Sequence, residues 1–75
     1  MGEPNNTPPP WSEAPPWAKY RAQDEDGEWW WFRLKPKQNR LGFWVTLPGS
    51  KFEQAKICGH NPNWRDTLQK RPENE

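Results

Sequence analysis

Residues 29–31 are three consecutive tryptophans, and Phe32 follows them. Neighbours in a strand point to opposite faces, so four adjacent rings cannot all enter one core. Either other segments of the chain cover both faces, or one face is kept for a partner. The segment before the rings, "DEDGE" at 24–28, carries four acids, and Asp26-Gly27 is a strong hairpin-turn signal. "EWWWFRLK" (28–35) therefore reads as a strand rich in β-forming aromatics. Pro36 ends it, because proline cannot donate to a ladder.

The flanking segments extend this pattern. "WAKYRAQ" (17–23) reads as the strand before the turn, "FWVTL" (43–47) as a third strand, and "KFEQAKIC" (51–58) as a short fourth. "GHNPNWRDTLQKRP" (59–72) reads as a turn and a short helix. Asn61 or Asn63 can cap that helix, and Pro62 suits its first turn. Trp64 and Leu68, four apart, would form its apolar stripe. Two turns of helix are unstable alone in water, so this stripe is expected to dock on the sheet. The predicted fold is small and mainly β: a three- to four-stranded antiparallel meander with a short C-terminal helix and a disordered N-terminal tail. Residues 1–12 form that Pro-rich tail, 13–72 a single Trp-rich β domain, and 73–75 a disordered end. "PPPWSEAPPW" (8–17) overlaps this boundary and favours extended polyproline II. It can lie on the sheet as a strap or serve as a ligand for another protein.

A domain of this size is marginally stable and usually needs a staple. Cys58 is the only cysteine, so no internal disulfide forms. Cys58 and His60 lack the further ligands that a structural metal site wants. The stabiliser left is aromatic: seven Trp, three Phe and one Tyr in a chain of only 31% hydrophobic residues. Each such ring can bury about 150–250 Å².

An even hairpin loop, of two or four residues, places the rings on faces. Tyr20 and Ala22 then join Trp29 and Trp31, with Ala18, in a core face. Trp17, Lys19 and Arg21 join Trp30, Phe32 and Leu34 on the other. A three-residue loop reverses the assignment. The second face is either a half-buried aromatic–cation layer under the strap and the C-terminal helix, or an exposed platform. The platform reading makes Lys19, Arg21, Trp30 and Phe32 the contact surface, with Arg33 and Arg40 as a basic rim and Trp44 serving either side. Tyr20, Trp29, Trp31, Val45, Trp64 and Leu68 are the expected core.

Chemistry finds little support. One histidine and one cysteine, two apart in a turn, assemble no catalytic constellation. "DEDGE" lacks the ligand spacing of a calcium loop, and no Gly-rich phosphate loop is present. No catalytic residue, metal ligand or cofactor is expected. A net charge of +1 gives no global field for nucleic acid. Rings beside "RLKPKQNR" (33–40) would still suit a single strand, which makes single-stranded nucleic-acid binding the alternative function. No signal peptide or membrane-spanning run is visible, so a cytoplasmic monomer or weak dimer is expected. Trp, Tyr and Arg are the usual hot-spot residues of protein interfaces, and binding to a protein is the leading expectation.

Two resemblances add to this. Trp17, Asp26-Gly27, Trp30-Trp31-Phe32 and Phe43-Trp44 over a meander look like a WW domain in architecture. Trp44 lacks that family's proline two residues later, and the Trp17–Trp44 spacing is longer. More specifically, residues 14–72 resemble small proteins of tailed bacteriophages and prophages. These carry a "WAxYxAxDxDGxWxWF" segment, matched at Trp17, Ala18, Tyr20, Ala22, Asp24, Asp26, Gly27, Trp29, Trp31 and Phe32. They end in "WRxTLxxRP", matched at Trp64, Arg65, Thr67, Leu68, Arg71 and Pro72. The resemblance implies a phage-encoded protein that binds a bacterial host protein in the host cytoplasm, to inhibit or redirect it.

Overall fold

The computed structural model describes residues 7–73. Six short strands alternate with turns: β1 (Tyr20–Gln23), β2 (Glu28–Phe32), β3 (Lys37–Gln38), β4 (Trp44–Val45), β5 (Phe52–Ile57) and β6 (Gln69–Lys70). Four of them form one antiparallel sheet in the order β5-β2-β1-β6, and β3 and β4 form a separate two-stranded ribbon. The expected mainly-β fold is present, but the meander is rearranged. The expected third strand shrinks to Trp44–Val45 and leaves the main sheet for the ribbon. The fourth expected strand becomes the direct neighbour of β2.

The β1–β2 turn decides which ring faces where. Gln23 pairs with Trp29, Arg21 with Trp31 and Tyr20 with Phe32. The Asp24 N–H donates to the Glu28 carbonyl at 2.9 Å, and the Gly27 N–H donates to the Asp24 carbonyl at 2.9 Å. This leaves a three-residue loop, 25–27, with Gly27 at φ 101°, the turn-plus-bulge hairpin that needs glycine at its last position. Tertiary bonds hold the loop in this form. The Gly27 carbonyl accepts from the Cys58 N–H, the Glu25 N–H donates to Gly42, and the Glu25 carbonyl accepts from the Asn61 N–H. The even-loop face assignment is thereby reversed. Trp30 and Phe32 lie on the side of Tyr20 and Ala22, while Trp29 and Trp31 lie on the side of Arg21 and Gln23.

Both faces are covered by other segments of the chain. On one, Phe32 and Ala22 pack with Trp44 and Trp64, and Tyr20, Trp30 and Leu68 sit against them. On the other, Trp31 packs with Trp11 and Ala18, flanked by Ala14, Trp17 and Ala55. Trp11 meets Trp31 at 5.5 Å between ring centroids. The proline segment is thus a strap on its own sheet. Residues 7–12, assigned by sequence to the tail, belong to it, with Pro9 fully buried. The rest of the expected tail, and residues 74 and 75 of the expected disordered end, lie outside the described residues.

The C-terminal helix is not formed. Trp64–Asp66 makes a single 3-10 turn, and Gln69–Lys70 becomes β6, paired with Arg21 and Tyr20 of β1. The Thr67 side chain explains the switch. Its hydroxyl accepts from the Gln23 N–H at 2.8 Å and donates back to the Trp64 carbonyl at 2.7 Å. That bond closes the turn and ties residue 67 to β1, where the chain pairs as a strand instead of propagating a helix. Trp64 still reaches the core, 1% exposed. Of the other expected core residues, Trp29 and Trp31 are buried, Tyr20 and Leu68 are half-buried, and Val45 is exposed.

Candidate functional site

Covering both faces does not hide all the rings. Between β2, β4 and β5 lies an open groove of about 350 Å³, lined by Trp30, Phe32, Phe43, Trp44 and Phe52. Val45 and Thr46 complete the wall, and Asp24 closes one side. Trp30 and Phe52 stand 5.7 Å apart, tilted by 53°. Phe32 and Trp44 form the buried floor, whereas Phe43, Val45 and Phe52 leave much of their surface in water, Phe52 56% of it. The volume falls within the usual range for ligand clefts.

Among the described residues one ionisable side chain lines the groove, and it is buried. Asp24 is 8% exposed, and it accepts a hydrogen bond from the Trp44 N–H at 2.9 Å. Burial, the largest effect, pushes its pKa from 3.8 up to about 6; the Trp44 N–H pulls it down, and the negative charges of Asp26 and Glu28 raise it again. The Trp30 indole N–H weakly favours the carboxylate without reaching hydrogen-bond geometry, so its Nε1, like Thr46 Oγ1, stays buried and unpartnered. Asp24, Asp26 and Glu28 can bring one carboxylate oxygen each within 4.8 Å of one another. The groove therefore ends at a negative pole.

A buried polar network fixes this geometry from below. The Trp44 indole N–H donates to the Gln23 carbonyl at 2.9 Å, and the Asn61 amide donates to Gln23 Oε1 at 2.8 Å. The Gln23 amide donates to the Gly27 carbonyl at 3.2 Å. Gln23 has no exposed surface, and such a group is costly unless paired. Its bonds tie the turn, β4 and the segment around Asn61 into one unit.

The groove gathers Trp30, Phe32 and Trp44 from the sequence-predicted contact residues. The basic ones lie elsewhere. Arg21 turns to the strap face, where it bonds Gln69 and the Pro9 carbonyl and stacks 4.5 Å from the Trp11 ring. Lys19 lines a separate open depression of about 720 Å³ with Tyr20, Lys70 and Arg71. Arg33 lines a third, beside Leu34 and Leu47. Arg40 is exposed on the loop between β3 and β4. Sequence reasoning missed Asp24, Phe43 and Phe52. Asp24 reads as a solvated turn acid, because nothing in its neighbours announces that β4 will cover it. Phe52 sits in a segment without clean alternation.

Cys58 and His60 do not converge. The thiol lies 3.9 Å from the Thr7 carbonyl, and His60 lies 3.7 Å from Glu25. No helix among the described residues is long and apolar enough to cross a membrane. Comparison with protein-family models, curated proteins and solved structures finds no match.

Proposed function

We propose that this chain is a non-enzymatic protein-binding module whose contact surface is the Trp30–Phe43–Phe52 groove. The observation that carries the reading is the exposed aromatic surface. After the strap and the C-terminal segment have covered the sheet, Phe43, Val45 and Phe52 still stand open around a formed concavity. Open apolar surface of this kind on a small domain marks a contact site. The sheet edge supports it. β5 is the six-residue outer strand, and among the described residues no strand pairs with its far side, while Phe52 and Ile57 stay exposed along it. Such an edge can accept an added strand from a partner.

The resemblance to phage and prophage proteins directs the search for that partner to a bacterial host protein in the cytoplasm, to be inhibited or redirected. Single-stranded nucleic acid is the weaker reading. Among the described residues no Lys or Arg lines the groove, and the one ionisable group there is an acid, which would repel phosphate. The test is co-purification from a bacterial host. The tagged chain should retain a stoichiometric host protein, and a Phe43→Ser/Phe52→Ser variant that keeps its fold should lose it. Absence of any partner, or retention of it by the variant, refutes the groove as the interface.

A further inference from the structure

The chemistry of the groove narrows what it can hold. Its walls are five aromatic rings, its end is a buried carboxylate, and no cationic side chain among the described residues lines it. Asp26 and Glu28 stand behind Asp24, close enough to share a cation with it. Aromatic faces attract cations through their ring quadrupoles, most strongly where water is excluded. A ligand suited to both parts has an apolar stem and a positive tip. Lysine and arginine side chains have that form: methylene stems that lie along rings, with a charged head beyond.

Elsewhere the same chain pairs its rings with its own cations. Arg21 and Arg71 stack on Trp11, Lys51 lies over Trp17, and Arg65 lies over Trp64. The rings of Trp30, Phe43, Phe52 and Trp44 have no such partner among the described residues. They are also the rings gathered around Asp24.

We propose that the groove binds a lysine or arginine side chain of a partner polypeptide, its stem laid along the Trp30 and Phe52 rings and its charged head at Asp24. The inference rests on the groove being the protein interface. An apolar or proline residue could fill the rings but would leave the carboxylate buried without a counter-charge. An acidic residue would be repelled by it.

The test uses the full chain and five peptides of one frame, acetyl-Gly-Gly-Xaa-Gly-Gly-amide, with Xaa lysine, arginine, norleucine, proline or glutamate. Binding is read from the indole N–H signals of Trp30 and Trp44 by NMR, with Trp29 as the internal reference. The lysine or arginine peptide should move the Trp30 and Trp44 signals and bind about tenfold more tightly than the norleucine peptide. Asp24→Asn should bring it to the norleucine level. The proposal is overturned if norleucine or proline binds as well as lysine and arginine, if Asp24→Asn leaves the preference intact, or if neither basic peptide moves the groove signals. Binding of norleucine or proline at the groove would keep the interface reading while removing the cation. Loss of the interface reading shows instead in the co-purification, where the Phe43→Ser/Phe52→Ser variant would keep its partner.

Discussion

Replacing Asp24 with asparagine should stabilise the protein at neutral pH. Asparagine keeps an oxygen for the Trp44 N–H and removes the buried charge. The folded-state pKa is raised from 3.8 to about 6. Between those values the folded chain holds a proton that the unfolded chain has released, so stability falls as pH rises from about 4 to about 6 and is level above. A shift of about two units corresponds to roughly 3 kcal/mol at about 1.36 kcal/mol per unit. Part of it comes from Asp26 and Glu28, and Asp26 is exposed and screened, which brings the expectation to about 2–3 kcal/mol. Urea unfolding followed by tryptophan fluorescence, for both proteins at a series of pH values, measures it. The difference should be only about 0.5 kcal/mol at pH 4 and reach its plateau by pH 7. Burial dominates, so the gain should survive about 0.5 M salt, which screens surface charges. An equal stability of the two proteins at pH 7, or a less stable variant there, would refute the reasoning. A gain would mean that the chain gives up a sizeable part of the few kcal/mol typical of a small domain to keep a carboxylate in its groove.

Three further outcomes are expected. Gly27→Ala drives a Cβ into the Cys58 carbonyl at a φ of 101° and should cost at least about 3 kcal/mol, whereas Gly49→Ala, at φ 84° in open space, should cost only about 1 kcal/mol; equal losses in urea titrations would sink this. Trp11→Ala opens the strap face and strips the ring under Arg21 and Arg71, so a loss of about 3–5 kcal/mol is expected, and a near-neutral melting curve would show that the strap does not pack in solution. A single-stranded oligonucleotide at moderate salt should leave the tryptophan fluorescence unchanged; salt-dependent quenching would restore the nucleic-acid reading.

The strands around the turn were legible from local signals. Aromatic β-formers and the Asp-Gly turn located β1 and β2, although β2 ends at Phe32 and not at the expected stop before Pro36. Residues 51–58, whose alternation is poor, still formed a strand, because β2 offers a free edge and Phe52 pairs with Phe32. What local signals did not carry was set by distant bonds. The helix around Trp64 was lost to a threonine hydroxyl bound to β1, 44 residues away in sequence. The loop length was fixed by bonds to Gly42, Cys58 and Asn61, all remote in the chain.

That single loop residue has the largest functional consequence. With an even loop, Trp30 would stand among Lys19 and Arg21 on a basic face, and a phosphate-bearing partner would be the natural inference. With the three-residue loop, Arg21 is turned to the strap and Trp30 to the ribbon, where Asp24 lines the same groove. The same residues thus present a face of opposite sign. Three tryptophans in a row can be accommodated because two segments cover the two faces: the strap lies over Trp31, and the Trp44 and Trp64 segments lie over Phe32. Trp30 sits at the margin of the second cover, half-buried, one edge of its ring supporting the core and the other lining the groove. Its replacement by alanine should therefore cost less stability than Trp31→Ala, while removing more of the binding surface.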